Sequence, residues 1–528
     1  MPKITINGQE VEVADGLNLV QAAESVGVTI PHYCYHPGLP IDGNCRMCLT
    51  EVEGARGPQI ACNTFVKEGM VVKTDTPAVE KMRKGVQEFL LLNHPIDCPI
   101  CDQAGECRLQ DYYMEYGQYD NRSMVKKVSK EKAVDLGPNV VLDQERCILC
   151  QRCVRFTDAV TKTGELVVAN RGDHSAIETF PGMELDNPYA TNVVDLCPVG
   201  ALTSKDFRFK QRVWFLQSAK SVCTGCAKGC AITVDHKDGV AYRYRPRHNP
   251  EVNTYWMCDE GRMTYKRINE DRLRSALIDG REVAYGTAVD AVVTKLKSVV
   301  ELYGAESVAV VGSPHSTVED NFLVNRLARE AVGTSKVWAL ALTPDGSQDD
   351  FLRRADKTPN RTGITFLGYN DDAESLKAAL NSGAIRMLVM VNTDLLTEGD
   401  ASWQEALAKV PTTVFFATHD TEGARKAGVT LPVAMHAETY GSFVQENGIL
   451  QKVMRAFDPT GDVLPVWEAV GMLAARLGKA FGYDDMEQIW EDLGKSYPAL
   501  AGQTFYALPE HGLSLPAGAG AAPMAASR

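Results

Sequence analysis

HPIDCPICDQAGEC, residues 94–107, reads as a set of metal ligands one thiol short. Cys98, Cys101 and Cys107 follow one another at x2 and x5 spacing, and His94 stands four residues ahead of the first. Working outward, the other cysteines fall into fours. Cys34, Cys45, Cys48 and Cys62 come before it; Cys147, Cys150, Cys153 and Cys197, then Cys223, Cys226, Cys230 and Cys258, come after. All fifteen cysteines of the 528 residues are thereby used, and none follows Cys258. With His94 counted, the donors divide into four complete sets, which points to four iron–sulfur clusters on one chain.

The surroundings agree with metal rather than disulfides. The start, MPKITINGQEVEV, is a polar alternating pattern without the charged and apolar regions of a secretory signal. The chain is therefore expected to stay in a reducing compartment, where such spacings bind metal. No stretch approaches ~18 consecutive apolar residues, so no membrane span is expected. A formal net charge of −13 argues against a nucleic-acid partner. Length alone suggests two to four domains.

Each set has its own frame. Ile4 to Val13 alternates around Asn7-Gly8, a hairpin signal, and Gly16 to Val28 reads as a short helix stopped by Gly27. The loop IPHYCYHPGLPIDGNCRMC follows, with C-x10-C-x2-C-x13-C spacing. Hairpin, helix and cysteine loop follow the order of a plant-type ferredoxin, whose first interval is shorter. A 2Fe–2S site is expected here, with structural zinc as the open alternative. His32 and His36 read as loop residues.

For the second set, Val79, Met82, Val86, Phe89 and Leu90 recur at helical spacing, giving an amphipathic helix over 78–93 that ends before Pro95. His94 is expected to complete a 4Fe–4S site with Cys98, Cys101 and Cys107. An imidazole in place of a thiolate removes a negative charge, which raises the potential if nothing else changes. The polar, Tyr-rich stretch 111–145 reads as a connection with no chemistry of its own. In the third set, Cys147, Cys150 and Cys153 are closed by Cys197-Pro198, 44 residues after Cys153. Thr157 stands where a second cluster's ligand would be, leaving a single 4Fe–4S site. Arg146, Arg152 and Arg155 flank it, either offsetting cluster charge or as solvated surface cations. The fourth set is C-x2-C-x3-C-x27-C, with a hairpin around Asp238-Gly239 between its third and fourth ligands.

SVCTGCAKGCAITV and YWMCDEGR resemble the opening module of the molybdopterin oxidoreductases. Taken in order, the four sets resemble the large iron–sulfur subunit of NADH:quinone oxidoreductase, respiratory complex I. The resemblance covers residues 1 to about 265 with specific motifs and the remainder more loosely. It implies an electron-transfer subunit, not a chain with substrate-bond chemistry. Its implied partners are a flavoprotein subunit that binds FMN and NADH, then a 4Fe–4S ferredoxin-like subunit and the quinone module downstream. It also implies proton translocation by the whole complex, and a place in a peripheral arm on the cytoplasmic side of the membrane. The route would run through the sites of Cys34, Cys147 and His94, in that order, with the Cys223 site off it and structural. The alternative is an iron–sulfur subunit of an NAD-linked formate dehydrogenase or hydrogenase.

The C-terminal half alternates helices and strands. Helices are expected over 288–303 and 319–332, and strands over 307–312, 385–391 and 412–417, the apolar runs of a parallel sheet covered on both faces. Gly312-Ser313-Pro314 lacks the features of a phosphate loop. RKAGVTLPVAMHAETYGSFVQENGILQ resembles the pterin-binding domain of molybdoenzymes. With no cysteine after Cys258, a degenerate scaffold without molybdopterin is expected, with His315, His419 and His436 as core or surface residues. The expected class is multidomain α+β and α/β. A β-grasp 2Fe–2S ferredoxin-type domain spans 1–77. A small helical 4Fe–4S module, its ligands one histidine and three cysteines, spans 78–117, and a 4Fe–4S ferredoxin-like domain spans 118–215. A β-rich 4Fe–4S module spans 216–275, and a shortened molybdopterin-type α/β domain spans 276–510. A flexible tail, 511–528, follows.

Overall fold

The structure, a computed structural model, describes residues 1–340, 342–397 and 399–516. It divides into two compact units, Met1–Leu216 and Gln217–Arg528. Among the described residues no helix is long and apolar enough to cross a membrane.

The first unit begins with strands Lys3–Ile6 and Gln9–Glu12. Asn7 and Gly8 both take positive φ, 49° and 85°, as a two-residue turn between right-twisted strands requires. The register pairs Ile6 with Gln9 and puts Ile4 and Ile6 into a core with Val13, Val20 and Val72. Val71–Lys73 adds parallel to Lys3–Ile6, completing a five-stranded sheet with Leu49–Val52 and Gln59–Ile60. The helix packed on it is Leu19–Ser25, shorter than the expected 16–28. Asn18 caps it reciprocally with Gln21, and Gly27 at φ +79° ends it. This is the β-grasp frame expected.

The helix Pro77–Leu91 starts where Thr76 accepts from the Val79 N–H at 3.2 Å. Its buried side is Val79, Arg83 and Gln87, whereas Phe89, expected on the apolar face, is 76% exposed. The reason is polar pairing: Gln87 donates to the Tyr33 hydroxyl at 2.6 Å and Arg83 to that of Tyr116 at 3.3 Å. Helix Arg108–Tyr116 supplies Tyr116. Beyond it, Leu202–Ser204, Val140–Leu142 and Val134–Asp135 form a three-stranded sheet, beside the hairpin Leu166–Ala169 and Ala176–Thr179.

In the second unit, Gln217–Val222, Ala231–Lys237 and Val240–Pro246 form an antiparallel sheet turning at Asp238-Gly239. A seven-stranded sheet follows in the order Arg281–Val283, Ala276–Ile278, Val429–Pro432, Thr412–Ala417, Met387–Val391, Val308–Gly312, Val337–Ala339. Its last five strands are parallel, as their continuous apolar runs predict. Val308, Val310, Val389 and Phe416 enter one core, and Ala309, Val311, Leu388, Met390 and Phe415 the other. Both faces are thus covered. The expected helix 319–332 is Val318–Arg326 followed by a wider π turn, Leu327–Val332. At the far end Leu513–Ser514 is an edge strand on Ile449–Leu450, so that part of the expected flexible tail is ordered. Residues 517–528 lie outside the described residues.

Candidate metal centres

Cys34, Cys48 and Cys62 are buried and Cys45 half-buried in the loops of the β-grasp. Hydrogen bonds from Cys45 and Cys62 hold the Cys34 thiol well below the ordinary thiol value, while the same bonds push Cys45 and Cys62 upward. Hydrogen bonds between free thiols thus link Cys45 to Cys34, Cys34 to Cys62 and Cys62 to Cys48. The Cys34 N–H also faces the Cys45 Sγ at 3.4 Å. The loop can turn so tightly because Arg46 takes φ 59° and Gly43 φ 72°. His32 and His36 are partnered locally, His32 Nδ1 with the Ile30 carbonyl and His36 Nδ1 with the Gly38 N–H.

In the second set Cys101 and Cys107 are buried, and Cys98 is exposed. Burial raises Cys101 and takes Cys107 to about 11, and each also feels the charge of Cys98. His94 has a buried Nδ1 with no hydrogen-bond partner. Burial, then the charges of Lys127 and Arg146, lowers it to about 4, leaving the neutral imidazole that can donate a lone pair. Arg146 acts on Cys101 as well as on His94. The stretch 111–145, expected to be inert, surrounds this set. Lys127 caps the preceding helix through the Leu91 and Leu92 carbonyls at 2.6 and 3.0 Å, and Lys132 pairs with Asp97 at 2.7 Å. No motif marks either lysine.

Cys147, Cys150, Cys153 and Cys197 line one small cavity with Leu142, Ile177 and Val199. Burial raises all four thiols, Cys147 to about 12 and Cys150 to about 11. Leu149 and Gln151 take φ 52° and 57°, a left-handed strain that turns the Leu149 N–H onto Cys147 Sγ at 3.4 Å. The loop after Cys197 meets the second set directly. Arg108 N–H donates to the Pro198 carbonyl at 3.0 Å, and a Cβ on Gly200 would lie 2.2 Å from Cys101 Sγ. A glycine soon after Cys-Pro was the available signal for this close approach.

Cys223, Cys226, Cys230 and Cys258 line the fourth cavity. Burial raises Cys223 and takes Cys258 to about 11. Cys258 caps the turn Asp259–Met263, its Sγ accepting from Gly261 N–H at 3.3 Å. A Cβ on Gly261 would come within 2.9 Å of Cys223 Sγ. Among the described residues, no three such donors are arranged around a single metal ion. Thiols lining a shared cavity, N–H groups aimed at sulfur and an orphaned imidazole nitrogen suit iron–sulfur clusters.

Five family models match in chain order. They are a 2Fe–2S iron–sulfur cluster binding domain over 2–77, the NADH-ubiquinone oxidoreductase-G iron–sulfur binding region over 83–122, and the ferredoxin-like domain of NADH-quinone oxidoreductase subunit 3 over 137–203. The molybdopterin oxidoreductase Fe4S4 domain follows over 216–270 and molybdopterin oxidoreductase over 352–476. The NADH-quinone oxidoreductase G subunit of Streptomyces coelicolor is 34% identical over 90% of this chain and 58% of its own length. Along nine tenths of its length the chain is thus similar to an NADH-quinone oxidoreductase G subunit. The NADH-ubiquinone oxidoreductase 75 kDa subunit of Reclinomonas americana is 37% identical over 71% of this chain and 55% of its own. The 78 kDa subunit of Neurospora crassa is 45% identical over 52% and 37%. The chain spans about half the length of the curated relatives it matches. Among solved structures, a chain of an NAD+-reducing NiFe-hydrogenase is 28% identical over 40% of this chain and 91% of its own, with a TM-score of 0.37.

This G-subunit-like chain also has a cavity of about 360 Å³ at the carboxyl ends of its parallel strands. His315, His419 and His436, expected in core or surface, all line it. Each has a partner inside the protein: Thr343 at 3.1 Å, the Arg267 carbonyl at 2.9 Å and the Tyr244 hydroxyl at 2.8 Å respectively. None of the described lining residues is a cysteine, so no thiolate is offered to a molybdenum centre.

Proposed function

We propose that this chain is the electron-transfer subunit of an NADH:quinone oxidoreductase. Cys34, Cys45, Cys48 and Cys62 would hold a 2Fe–2S cluster. His94 with Cys98, Cys101 and Cys107, Cys147 with Cys150, Cys153 and Cys197, and Cys223 with Cys226, Cys230 and Cys258 would hold 4Fe–4S clusters, with no molybdopterin. Such clusters, when bound, exchange single electrons, while the chain supplies spacing, hydrogen bonds to sulfur and exclusion of water. Electrons would enter from an FMN-bearing, NADH-oxidising subunit and leave through a 4Fe–4S ferredoxin-like subunit to the quinone module. The complex would couple this to proton translocation, in a peripheral arm on the cytoplasmic side of the membrane. The modules would be 1–77, 78–117, 118–215, 216–275 and 276–510.

The observation that carries the internal order is the middle place of the Cys147 site. On one side Gly200 abuts Cys101; on the other, the Asn44 amide donates to the Leu149 carbonyl at 3.1 Å, joining the first and third cysteine loops. That supports Cys34, Cys147, His94 as the sequence of sites. An apolar rim supports an exit at the last of these: Phe89, Ile96 and Ile100 are 76%, 75% and 64% exposed beside exposed Cys98. The Cys223 site lies in the other unit and would be structural.

The test is metal analysis of this chain, isolated with its clusters, together with EPR of its reduced form. About fourteen irons per chain and no stoichiometric zinc or molybdenum are expected. A zinc protein, or one with molybdenum, would overturn the reading. His94→Cys should keep the iron while altering the second site's spectrum and potential; an unaltered spectrum would remove His94 from the ligands.

A further inference from the structure

Two arginines of the short helix Arg152–Phe156 tie the first cysteine site to the third. Arg155 Nη2 donates both to the Cys34 carbonyl at 2.5 Å and to the Cys150 carbonyl at 3.1 Å. One nitrogen therefore joins the backbones of two ligand residues, one from each set. The same side chain donates through Nη1 to the Pro40 carbonyl at 2.5 Å and through Nε to the Gln151 carbonyl at 3.2 Å. Arg152, buried, donates to the Leu196 carbonyl at 3.1 Å and to that of Tyr35. All six acceptors are neutral backbone oxygens in or beside the two ligand loops. Among the described residues neither arginine forms an ion pair with a carboxylate; Asp42 only feels the charge of Arg155, which works against the upward push of burial on its carboxyl.

The chemistry of this arrangement differs from a surface ion pair. A planar guanidinium fixes several acceptors at once, so the separation of the two loops is set by one rigid fork. Its charge is left for its surroundings, because carbonyl oxygens do not neutralise it. Half-buried between the two thiolate-rich sites, that charge lowers Cys150 of the third site and lies beside the Cys34 carbonyl of the first. We propose that Arg155 is the positioning residue that couples the first and third sites, fixing their approach and lending both a shared positive charge. The inference rests on the electron-transfer reading, and the step it serves is balanced simply. One electron is lost at the Cys34 site as one is gained at the Cys147 site, with no bond made or broken.

Arg155→Gln keeps hydrogen-bond donors and loses the charge; Arg155→Lys keeps the charge and loses the fork. Both are made in the full complex. Dithionite titrations followed by EPR give the potential of each site, and rapid freezing after mixing with NADH gives the order and rate of their reduction. For Arg155→Gln, the potentials of the Cys34 and Cys147 sites should both fall while that of the His94 site stays put. For Arg155→Lys, the potentials should stay near the parent values while reduction of the third site lags several-fold behind the first. If Arg155→Gln fails to retain its clusters, the lysine variant carries the test alone. Parent-like potentials and rates in both variants, or a shift confined to one of the two sites, would overturn the proposal. A parent complex that dithionite reduces but NADH does not would instead overturn the proposed route, leaving the potentials to judge Arg155.

Discussion

A methyl group on Gly200 would stand 2.2 Å from the Sγ of Cys101, well inside contact distance, so this glycine serves a neighbour and not its own turn. Gly200→Ala must either push the Cys-Pro-Val-Gly loop away or displace the Cys101 thiol. Displacing the thiol damages the second site directly, and shifting the loop also moves Cys197, a ligand of the third. The expected outcome is loss of about four irons per chain and of the second site's EPR signal, with the Cys34 and Cys223 sites intact; full iron content would refute it. The cysteine groups stand out in the sequence because at least three thiols of each recur at short spacings, although Cys197 and Cys258 lie far along the chain from theirs. What could not be read was what packs between loops. Lys127 and Lys132 lie in a stretch without motif, and they reach the His94 site only through the fold. The glycine soon after Cys197-Pro198 hints at a close approach, but that its neighbour is Cys101 is set by the fold.

The helix Pro77–Leu91 shows the same boundary for elements. Its existence, its Thr76 cap and its Pro77 start follow from local chemistry, and periodicity found the segment. Periodicity chose the wrong side at its end because it counts apolar residues and cannot see buried polar pairs. Gln87 and Arg83 face inward since Tyr33 and Tyr116 offer them hydroxyls, and Phe89 is left outside. Gln87→Ala should therefore cost the isolated chain about 1–3 kcal/mol, the usual loss when a buried hydroxyl's donor is removed. Phe89→Ser should change its stability by less than about 0.5 kcal/mol. Denaturant titration of the two variants checks the contrast. If the rim of Phe89, Ile96 and Ile100 meets the next subunit, Phe89→Ser should also weaken recovery of that subunit in the assembled complex. A large stability loss from Phe89→Ser with none from Gln87→Ala would reverse the assignment of faces.

Across the whole molecule, the parallel sheet was legible because strands buried on both faces must be apolar throughout, and Val308–Gly312, Met387–Val391 and Thr412–Ala417 are. The packing of the Cys223 module into the same compact unit was not. It depends on single polar contacts between distant segments, such as Gln451 Nε2 to the Gly229 carbonyl at 2.7 Å and Tyr244 to His436 at 2.8 Å. This unit also buries ionisable groups, and their titration should govern how it responds to pH. Burial raises Asp320 to about 7, and the neighbouring Glu319 carboxyl adds to the shift. Folding thus favours its protonated form. That contribution is complete below the unfolded carboxyl range and is lost as pH rises through 7. Burial takes His315 and His436 down to about 4, so theirs is present above the ordinary histidine value and lost as pH falls towards 4. The two trends oppose one another, and a substitution separates them. Asp320→Asn removes only the first. Its stability relative to the parent should rise by about 3 kcal/mol between about pH 5 and about pH 8, at ~1.4 kcal/mol per unit of pH up to the raised value. Denaturant titrations at the two pH values measure this directly. A difference that stays flat with pH would mean that Asp320 is ionised in the folded chain and that something else supports its charge.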